Sequence, residues 1–456
     1  MSPFRKLHPL DLTAGTTILV LAVLALAISA YSNWLGVHVS LYTADAASRI
    51  GPFETITFRF SQPVQAKTVQ SKLTMQPAVP GKFDWQNDHT LLFIPSLAYP
   101  GNVTIQIGKS MIGQGGAWLR RDVAWKLSIR QPEIVYMGYS KPQRELLVIP
   151  ATGGKPRQLT NTSGKIFDFD TSPIGDRIVY SITNNQNGLD LWLIGRDGQN
   201  VQKLLECGAD LCSSPAWSPD GKLIAYNRQA ASLSSALPPG APRLRIVDTA
   251  SGADRPVYSD PQIIGSGALW SPDGNWLASY DGVAGQIRVV NLKSGQQVLL
   301  PSTLGVLGSW SPDSIYLLYP NPMTDSLGTR TVLFRADFKS GEVGPFIGND
   351  KDPADYDFGS PAWWPDGTQI LLDLRISPQH PDRELWLYSP ATMGGILIAH
   401  AMGFSYDFFC WDPWGTRLVV QLTELGKTFS PQIAVWQSGQ VLTTIAQDGL
   451  FPHWLP

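Results

Sequence analysis

The chain has 456 residues, which is too long for one ordinary hydrophobic core and predicts two or three folded units. Its 43% hydrophobic and 10% aromatic residues exclude a disordered chain, and its formal net charge of −2 excludes the basic field that collects nucleic acid. The 42 Gly, 36 Pro and 16 Trp residues are typical of short strands joined by tight turns, so we predict an all-β protein.

The N-terminal segment 12–37 carries no charge and predicts a transmembrane helix, because about 20 apolar residues cross a bilayer. Arg5 and Lys6 precede the segment, and no Lys or Arg follows until Arg49. The positive-inside rule then places residues 1–11 in the cytoplasm and the bulk of the chain outside, which predicts a single-pass protein of the cell membrane. A cleaved signal peptide is the alternative, because Ile18–Ile28 also has the length of a signal-peptide core.

Residues 38–131 contain short alternating segments separated by Pro and Gly turns, which predicts a small β-sandwich. The segments Ile56–Val64, Met75–Gly81 and Leu91–Pro95 read Ile-Thr-Phe-Arg-Phe-Ser-Gln-Pro-Val, Met-Gln-Pro-Ala-Val-Pro-Gly and Leu-Leu-Phe-Ile-Pro. They resemble the bacterial Ig-like domains of envelope proteins. The resemblance implies a domain that acts as a spacer.

One stretch, Pro215–Tyr226, returns along the rest of the chain. It reads Pro-Ala-Trp-Ser-Pro-Asp-Gly-Lys-Leu-Ile-Ala-Tyr, and its Ser-Pro-Asp-Gly is turn chemistry that joins a Trp-bearing strand to an apolar one. The prolines of the six copies are Pro173, Pro219, Pro272, Pro312, Pro365 and Pro413, in steps of 46, 53, 40, 53 and 48 residues. This step is the length of one four-stranded propeller blade, so we predict a β-propeller over residues 132–456.

The C-terminal segment is predicted to close the ring of blades. Phe451–Pro456 repeats the Trp-x-Pro of the other inner strands, and residues 133–160 supply the three remaining strands of its blade. Closure of this kind removes the sheet edges that an open array would expose. Seven turns of the outer strands, against six internal turns of the Trp-Ser-Pro type, predict seven blades, with six as the alternative if one repeat is irregular.

The repeats Ala216–Tyr226 and Leu269–Tyr280, with Leu191–Ile194 and Glu384–Tyr388 as third strands, resemble the TolB-type propeller repeat. The resemblance covers residues 132–456 and implies the fold. Propellers of this type occur in periplasmic binding proteins and ahead of the catalytic domain in prolyl oligopeptidase-type peptidases. Because the sequence ends on the closing strand, we expect no hydrolase domain to follow.

Catalytic motifs are absent from the sequence, which has no Gly-x-Ser-x-Gly elbow and no glycine-rich nucleotide loop. We assign the repeated Asp residues to turn chemistry and the repeated Trp residues to core packing. The six His residues are scattered without the spacing of a zinc site, so we predict no metal centre and no cofactor. The chain is therefore predicted not to be an enzyme.

The loops between blades and between second and third strands are long and irregular, and we predict that they carry binding. The predicted protein is a membrane-anchored, extracytoplasmic scaffold that docks protein partners of the cell envelope or of a membrane complex. Charges near the channel mouth are poorly explained by packing, and the predicted binding residues are Asp355, Asp357, Arg375, Asp407 and Arg228. The alternative is a carboxylate- or calcium-dependent hydrolase or lyase at the channel mouth, with calcium held by Asp355, Asp357 and Asp407.

Two of the three cysteines, Cys207 and Cys212, flank a four-residue loop ahead of the strand that carries Trp217. An extracytoplasmic compartment permits a disulfide, which would pin this connection. We predict the Cys207–Cys212 bridge, with a free thiol at Cys410. Two further free thiols are the alternative.

Overall fold

Nearly every regular element of the computed structural model is a β-strand, as the alternating segments of the sequence predict. The structure describes residues 9–43, 49–140, 143–232, 234, 237–326, 328–348, 357–375 and 382–456. The chain divides between Arg130 and Gln131 into two compact units, here called unit 1 and unit 2.

The N-terminal apolar segment forms one helix, α1 (Pro9–Leu35). Its uninterrupted apolar run is Ile18–Ile28, which spans about 16 Å at about 1.5 Å per residue, while the hydrocarbon core of a bilayer is about 30 Å thick. Of the helices in the described residues, none is long and apolar enough to cross a membrane. The predicted transmembrane helix over 12–37, and with it the predicted single-pass membrane localisation, is therefore wrong.

Unit 1 contains two four-stranded sheets, a small hairpin and a short helix besides α1. These elements are β1 (Val39–Tyr42), β2 (Arg49–Ile50), β3 (Ile56–Phe60), α2 (Ala66–Lys72), β4 (Leu73–Gln76), β5 (Gly81–Asn87), β6 (Thr90–Pro95), β7 (Val103–Ile107), β8 (Ser110–Met111), β9 (Trp118–Leu119) and β10 (Val123–Ile129). The strand orders are β1-β3-β6-β5 and β2-β10-β7-β4, and β8 pairs with β9. Alternate residues of β3 and β7 are buried in one apolar core, as the period-two pattern predicts.

Unit 2 contains seven sets of four strands in the described residues. The first set is β11 (Glu133–Gly138), β12 (Leu146–Pro150) and β13 (Arg157–Gln158) with β38 (Gly449–Leu455). The second set is β14 (Ile166–Thr171), β15 (Arg177–Thr183), β16 (Leu189–Gly195) and β17 (Gln202–Leu205). The third set is β18 (Leu211–Trp217), β19 (Leu223–Gln229), β20 (Arg243–Asp248) and β21 (Asp254–Pro256). A bridge between Leu189 and Leu211 joins these two sets.

The remaining four sets repeat the same antiparallel order. Their strands are β22 (Gly265–Trp270), β23 (Trp276–Asp281), β24 (Gln286–Asn291), β25 (Gln297–Pro301); β26 (Ser309–Trp310), β27 (Tyr316–Asp325), β28 (Gly328–Asp337), β29 (Val343–Ile347); β30 (Asp357–Trp363), β31 (Ile370–Arg375), β32 (Glu384–Ser389), β33 (Gly394–His400); and β34 (Phe404–Trp411), β35 (Arg417–Glu424), β36 (Gln432–Gln437), β37 (Thr443–Gln447). Each set is thus one blade-like meander.

The repeated Ser-Pro-Asp-Gly segment forms the turn between the first and second strands of a set. Ser218 Oγ donates to Asp220 Oδ1 at 2.6 Å and accepts from the Leu223 N–H at 2.9 Å, while Gly221 adopts φ +68°. The corresponding serine and aspartate of two later turns are 2.5 Å apart in each case. The aspartates are therefore engaged in turn chemistry, as predicted.

Neighbouring sets share apolar cores. Leu191 of the second set packs with Ile224 and Tyr226 of the third, and the last set packs Val419 against Ile134 of the first. The sequence of shared cores therefore returns to its start, which is the arrangement of a β-propeller.

The closing strand β38 pairs antiparallel with β11, with Trp454 opposite Ile134. The Trp454 indole is buried, and its Nε1 donates to the Cys410 carbonyl of the preceding set at 3.0 Å. Trp270 makes the equivalent bond to the Ala216 carbonyl at 3.0 Å. The predicted closure and the predicted packing role of the repeated Trp are confirmed.

The structure contains the Cys207–Cys212 disulfide, with a Cα–Cα distance of 6.3 Å. The loop it closes is held by the Asp190 carboxylate, which accepts from the Cys207 N–H at 2.9 Å. Cys410 is free, and burial raises the pKa of its thiol to about 12.

We expect replacement of Trp454 by Ala to lower the free energy of unfolding of unit 2 by about 3–5 kcal/mol, because it removes a buried indole at the closing seam. Urea unfolding, followed by tryptophan fluorescence, measures the change. A chain ending at Gln447 should lose more stability still, since the whole of β38 is removed. The closing role of β38 would be refuted if either variant unfolded at the wild-type urea concentration.

We expect thiol labelling of the unfolded, unreduced protein to modify one cysteine, Cys410, and labelling after reduction to modify three. In the folded protein Cys410 should react slowly, because the reactive species is the thiolate and the pKa is raised. Peptide mapping by mass spectrometry identifies the modified sites. Three modified cysteines before reduction would show that the bridge does not form.

Candidate functional site

The inner strands of unit 2 are the first strand of each set, and most of them contact the next inner strand. They are β14, β18, β22, β26, β30, β34 and β38. Because the strands of each set alternate in direction, the Ser-Pro-Asp-Gly turns lie on one side of the ring. The connections between sets and the loops from second to third strands lie on the opposite side, here called the long-loop face. The start of each inner strand belongs to this face.

Several inner strands are bulged at the same place. The register with the second strand shifts after Ser213, Ser266 and Asp407. The residue five before the proline of the repeat then has left-handed backbone: Ser214 (φ +53°), Gly267 (+68°), Phe408 (+46°) and Phe451 (+54°). A bulge of this kind changes the direction in which a side chain points.

Two of these four positions carry phenylalanine, and together with Phe167 they form the wall of a pocket of about 590 Å³, here called the mouth pocket. The rings of Phe408 and Phe451 meet edge to face with centroids 4.6 Å apart. Phe408 is 56% exposed and Phe167 47% exposed. The full lining is Met137, Gly138, Tyr139, Gln143, Arg144, Phe167, Asp168, Phe169, Phe408, Leu450, Phe451 and His453.

Three residues that line the mouth pocket have left-handed backbone. Arg144 (φ +48°), Phe408 and Phe451 all line it and all have positive φ, a conformation that costs a non-glycine residue about 1–3 kcal/mol. Burial does not compensate Phe408, because more than half of its side chain is exposed. Strain of this kind, held by a surrounding scaffold, is typical of ligand sites.

One cation stands at the rim of the mouth pocket. The Arg144 guanidinium lies 5.9 Å from the centre of the Phe167 ring. Among the described residues Arg144 forms no ion pair, whereas Arg228 and Arg288 each pair with an aspartate at 2.8 Å or less. The rim therefore offers a positive charge that the described part of the fold does not neutralise by an ion pair.

The acidic groups of the mouth pocket are tied into the fold. Asp168 accepts hydrogen bonds from the Ser181 hydroxyl and, at 2.6 Å, from the Ser214 N–H of the next inner strand. Burial raises the pKa of Asp168 to about 6, although these hydrogen bonds act in the opposite direction. His453 Nδ1 lies 3.2 Å from Asp170 Oδ1. These groups connect neighbouring inner strands.

TolB-type propellers are among the solved structures that are similar to this chain. TolB from Acinetobacter baumannii has a TM-score of 0.43 at 15% identity, over 86% of this chain and 86% of that chain. An oligogalacturonate lyase from Vibrio parahaemolyticus has 0.47 at 12% identity, over 69% and 84%. A structure from a study of two prolyl endopeptidases has 0.45 at 13% identity, over 61% and 42%.

The sequence itself matches no family model and no curated protein. At these identities and TM-scores, the structural likeness assigns neither a family nor an activity to the chain. The mouth pocket is therefore interpreted from its own geometry.

The binding residues predicted from the sequence are partly brought together. Asp357 and Arg375 lie opposite each other in the β30–β31 register and form an ion pair. Asp357 also accepts from the Thr331 N–H at 3.0 Å, and these interactions hold the pKa of its carboxyl below the ordinary range despite partial burial. Arg228 pairs instead with Asp210 at 2.8 Å, on the third set. Pairing within the fold thus accounts for three of the predicted charges.

Of the two other predicted binding residues, Asp407 and Asp355, the structure describes Asp407. Asp407 accepts from the Ser405 hydroxyl at 2.9 Å and directly precedes Phe408 of the mouth pocket. Asp355 lies outside the described residues. The described part of the chain contains no group of three or more His, Cys, Asp or Glu residues that could hold a metal ion.

Sequence reasoning missed the aromatic wall. The signal was present, because alignment on the prolines of the repeat places Phe408 and Phe451 at the position of Ser214 and Gly267. An aromatic residue at this position is an exception to the repeat, because the other copies have Asp168, Ser214, Gly267, Leu307 and Ser360. Phe167 and Arg144 give no comparable signal, since the packing of the first and second sets brings them together.

We expect the difference in melting temperature between D168N and wild type (variant minus wild type) to be more positive at pH 7.5 than at pH 4.5. The folded pKa of Asp168 lies above its ordinary value of 3.8, so folded protein keeps this proton to higher pH than unfolded protein does. Stability from this group therefore falls as pH rises from about 4 to about 6 and is level above that range. Asparagine keeps the shape and cannot ionise.

The control for this pH dependence is D248N, whose melting temperature relative to wild type should stay level between pH 4.5 and pH 7.5, because both values lie above the ordinary pKa of 3.8. Hydrogen bonds from Ser251 hold the pKa of the Asp248 carboxyl below its ordinary value. The charged form of Asp248 is therefore the stabilising one. Parallel trends for the two variants in thermal unfolding would contradict the assignment of Asp168.

Proposed function

We propose that this protein is a non-catalytic binding protein. In this proposal unit 2 is a seven-bladed β-propeller that docks a protein partner on its long-loop face. The mouth pocket receives a large apolar or aromatic side chain of that partner, and Arg144 contributes a cation at the rim. In this proposal the partner is a protein, because a net charge of −2 gives the chain no basic surface field that would attract nucleic acid.

The observation that carries the proposal is the exposed Phe408 ring on strained backbone. A fold gains nothing from holding a large apolar side chain in solvent at positive φ. A ligand that covers the ring would recover the transfer free energy of burial, about 25 cal/mol per Å² of apolar area. A pocket with apolar walls and few polar groups is the usual form of such a site.

The polar groups of the mouth pocket support binding over acid–base chemistry. A general acid or base must reach the proton that it transfers. Here Asp168 is held by two hydrogen bonds and His453 by Asp170, so both groups already serve neighbouring strands. They support a rigid wall that is pre-formed for a ligand.

The other parts of the long-loop face are proposed to surround this anchor. Asp357, Arg375, Asp407, Arg228 and Asp355 form the polar rim of the docking surface in this proposal. Such rim charges influence the rate and specificity of association more than its strength. Unit 1, with two four-stranded sheets around one core, is proposed to be an Ig-like spacer.

The experiment is a selection of random displayed peptides on the immobilised full chain, followed by affinity measurements on the variant F408G. Glycine tolerates φ +46° without strain, so F408G should melt at or above the wild-type temperature. Wild type should enrich peptides with a large apolar or aromatic residue. F408G should bind them at least about tenfold more weakly, as expected for loss of a central contact.

The matched control is V441A, which trims an exposed apolar side chain in a turn on the opposite face. It should bind the selected peptides as wild type does. Equal affinity of F408G and wild type would overturn the mouth pocket as the docking site. Equal losses in F408G and V441A would show that the selection reports general surface hydrophobicity.

A further inference from the structure

Two residues of opposite charge, Arg144 and Glu145, follow each other in the chain at the edge of the mouth pocket. Glu145 is 3% exposed. Its carboxylate accepts hydrogen bonds from the Thr162 N–H at 2.7 Å and the Gly164 N–H at 3.0 Å, and also from two threonine hydroxyls. Arg144 is exposed and lines the pocket. The fold therefore occupies the carboxylate of these two neighbours and leaves the cation exposed.

The other carboxylates in and near the mouth pocket are occupied in the same way. Asp168, which lines it, accepts at both oxygens: Oδ1 from the Ser181 hydroxyl and Oδ2 from the Ser214 N–H. Two more are each held by a serine, Asp407 by Ser405 and Asp448 by Ser140. Arg144 is the one Lys or Arg among the residues that line the pocket, and in the described part of the chain it forms no ion pair. This cation is therefore the charged group that the pocket offers to a ligand.

The position of Arg144 is fixed by its backbone. Its N–H donates to the Gly138 carbonyl at 2.8 Å, and the Gly138 N–H donates to the Glu145 carbonyl at 2.9 Å. These bonds join the two ends of the connection between β11 and β12. The guanidinium lies over the Phe167 ring, and a planar guanidinium in that position keeps N–H groups for a carboxylate. The cation is thus held in place before a ligand arrives, which lowers the entropy cost of binding.

We propose that the partner segment bound in the mouth pocket is acidic as well as aromatic. Its aromatic side chain lies against Phe408 and Phe451, and an Asp or Glu side chain within two residues of it pairs with Arg144. The inference rests on the proposed function, which supplies the aromatic anchor. A partner that covers the pocket removes water from Arg144, and a desolvated cation without a counter-charge is costly. A carboxylate on the same segment supplies that counter-charge.

The spacing of the two partner groups follows from the site. The Arg144 guanidinium lies 5.9 Å from the centre of the Phe167 ring, so a carboxylate on the guanidinium and a ring in the pocket are close neighbours. Along an extended peptide, residues two apart share a face and lie about 7 Å from each other. Adjacent or next-but-one residues of one segment therefore reach both positions.

Peptides with blocked termini test the acidic group. A displayed library of random peptides is selected on the full chain, and the tightest aromatic peptide is synthesised with an acetylated N-terminus and an amidated C-terminus. A second form, the amide form, has each Asp or Glu within two residues of the aromatic residue replaced by Asn or Gln. Wild type should bind the acidic form about tenfold more tightly, as expected of hydrogen bonds between charged groups. The difference should shrink in about 0.5 M salt.

Two variants that each remove one positive charge locate the recognition. R144Q should bind the acidic form about tenfold more weakly than wild type does, and the amide form equally well. Its melting temperature should match that of wild type, because the Arg144 side chain is exposed. The matched control is K293Q, which removes the same charge from an exposed side chain in a turn on the opposite face. K293Q should keep the wild-type preference for the acidic form.

The outcomes separate this inference from the proposed function. If F408G loses binding while R144Q keeps it, or if the enriched aromatic peptides carry no acidic residue, the acidic partner is rejected and the aromatic anchor stands. If F408G binds as wild type does, or if no aromatic peptide is enriched, both are rejected.

Two further results would reject the pairing with Arg144. Equal losses in R144Q and K293Q would show that affinity follows the net charge of the chain. A loss in R144Q of the same size for the acidic and amide forms would show that Arg144 stacks on the partner's ring instead.

Discussion

The pairing of β38 with β11 is the interaction on which the rest of unit 2 depends. It joins strands at the two ends of the unit and places the Trp454 indole against the Cys410 carbonyl of the preceding set. Without it, the first set would lack its inner strand and β11 would become an unpaired edge. The mouth pocket lies on this seam. Phe408 comes from β34, Phe451 from β38, Phe167 from β14 and Arg144 from the loop after β11, and closure brings the two C-terminal segments beside the two N-terminal ones.

Local stability and binding make opposite demands at the seam. The fold gains nothing from the exposed Phe408 ring on left-handed backbone, or from the Asp168 carboxylate in surroundings that raise its pKa to about 6. These features persist because hydrogen bonds from neighbouring strands fix their geometry, as the Ser214 N–H does for Asp168. The charges farther along the long-loop face follow the opposite principle. Asp357 and Arg375 pair with each other, and Arg228 pairs with Asp210, so these side chains meet the needs of the fold first.

Each set of four strands ends in an inner and an outer edge. Among the described strands, the inner strand and the fourth strand each pair within the set with one neighbour only. Prolines in β21, β25 and β29, a lysine in β17 and the short length of β13 discourage pairing at the outer edge. β33 and β37 are interrupted there by a bulge. The outer edges are therefore protected by local features of each strand rather than by ring closure.

The sequence by itself determined the elements that local chemistry dictates. The period-two pattern predicted the strands, Ser-Pro-Asp-Gly predicted the turns, and the Trp-x-Pro at Trp454 predicted the closing strand, because each depends on a few neighbouring residues. The prediction of a transmembrane helix at α1 is wrong, because the continuous apolar run of this uncharged segment is only Ile18–Ile28. The tertiary structure decided the site. Asp357 and Arg228 are paired rather than free charges, because strand register places an oppositely charged side chain beside each of them. The mouth pocket exists only because ring closure joins residues up to about 300 positions apart. Such contacts leave no periodic trace in the sequence, because they are set by packing between sheets rather than by the chain's local order.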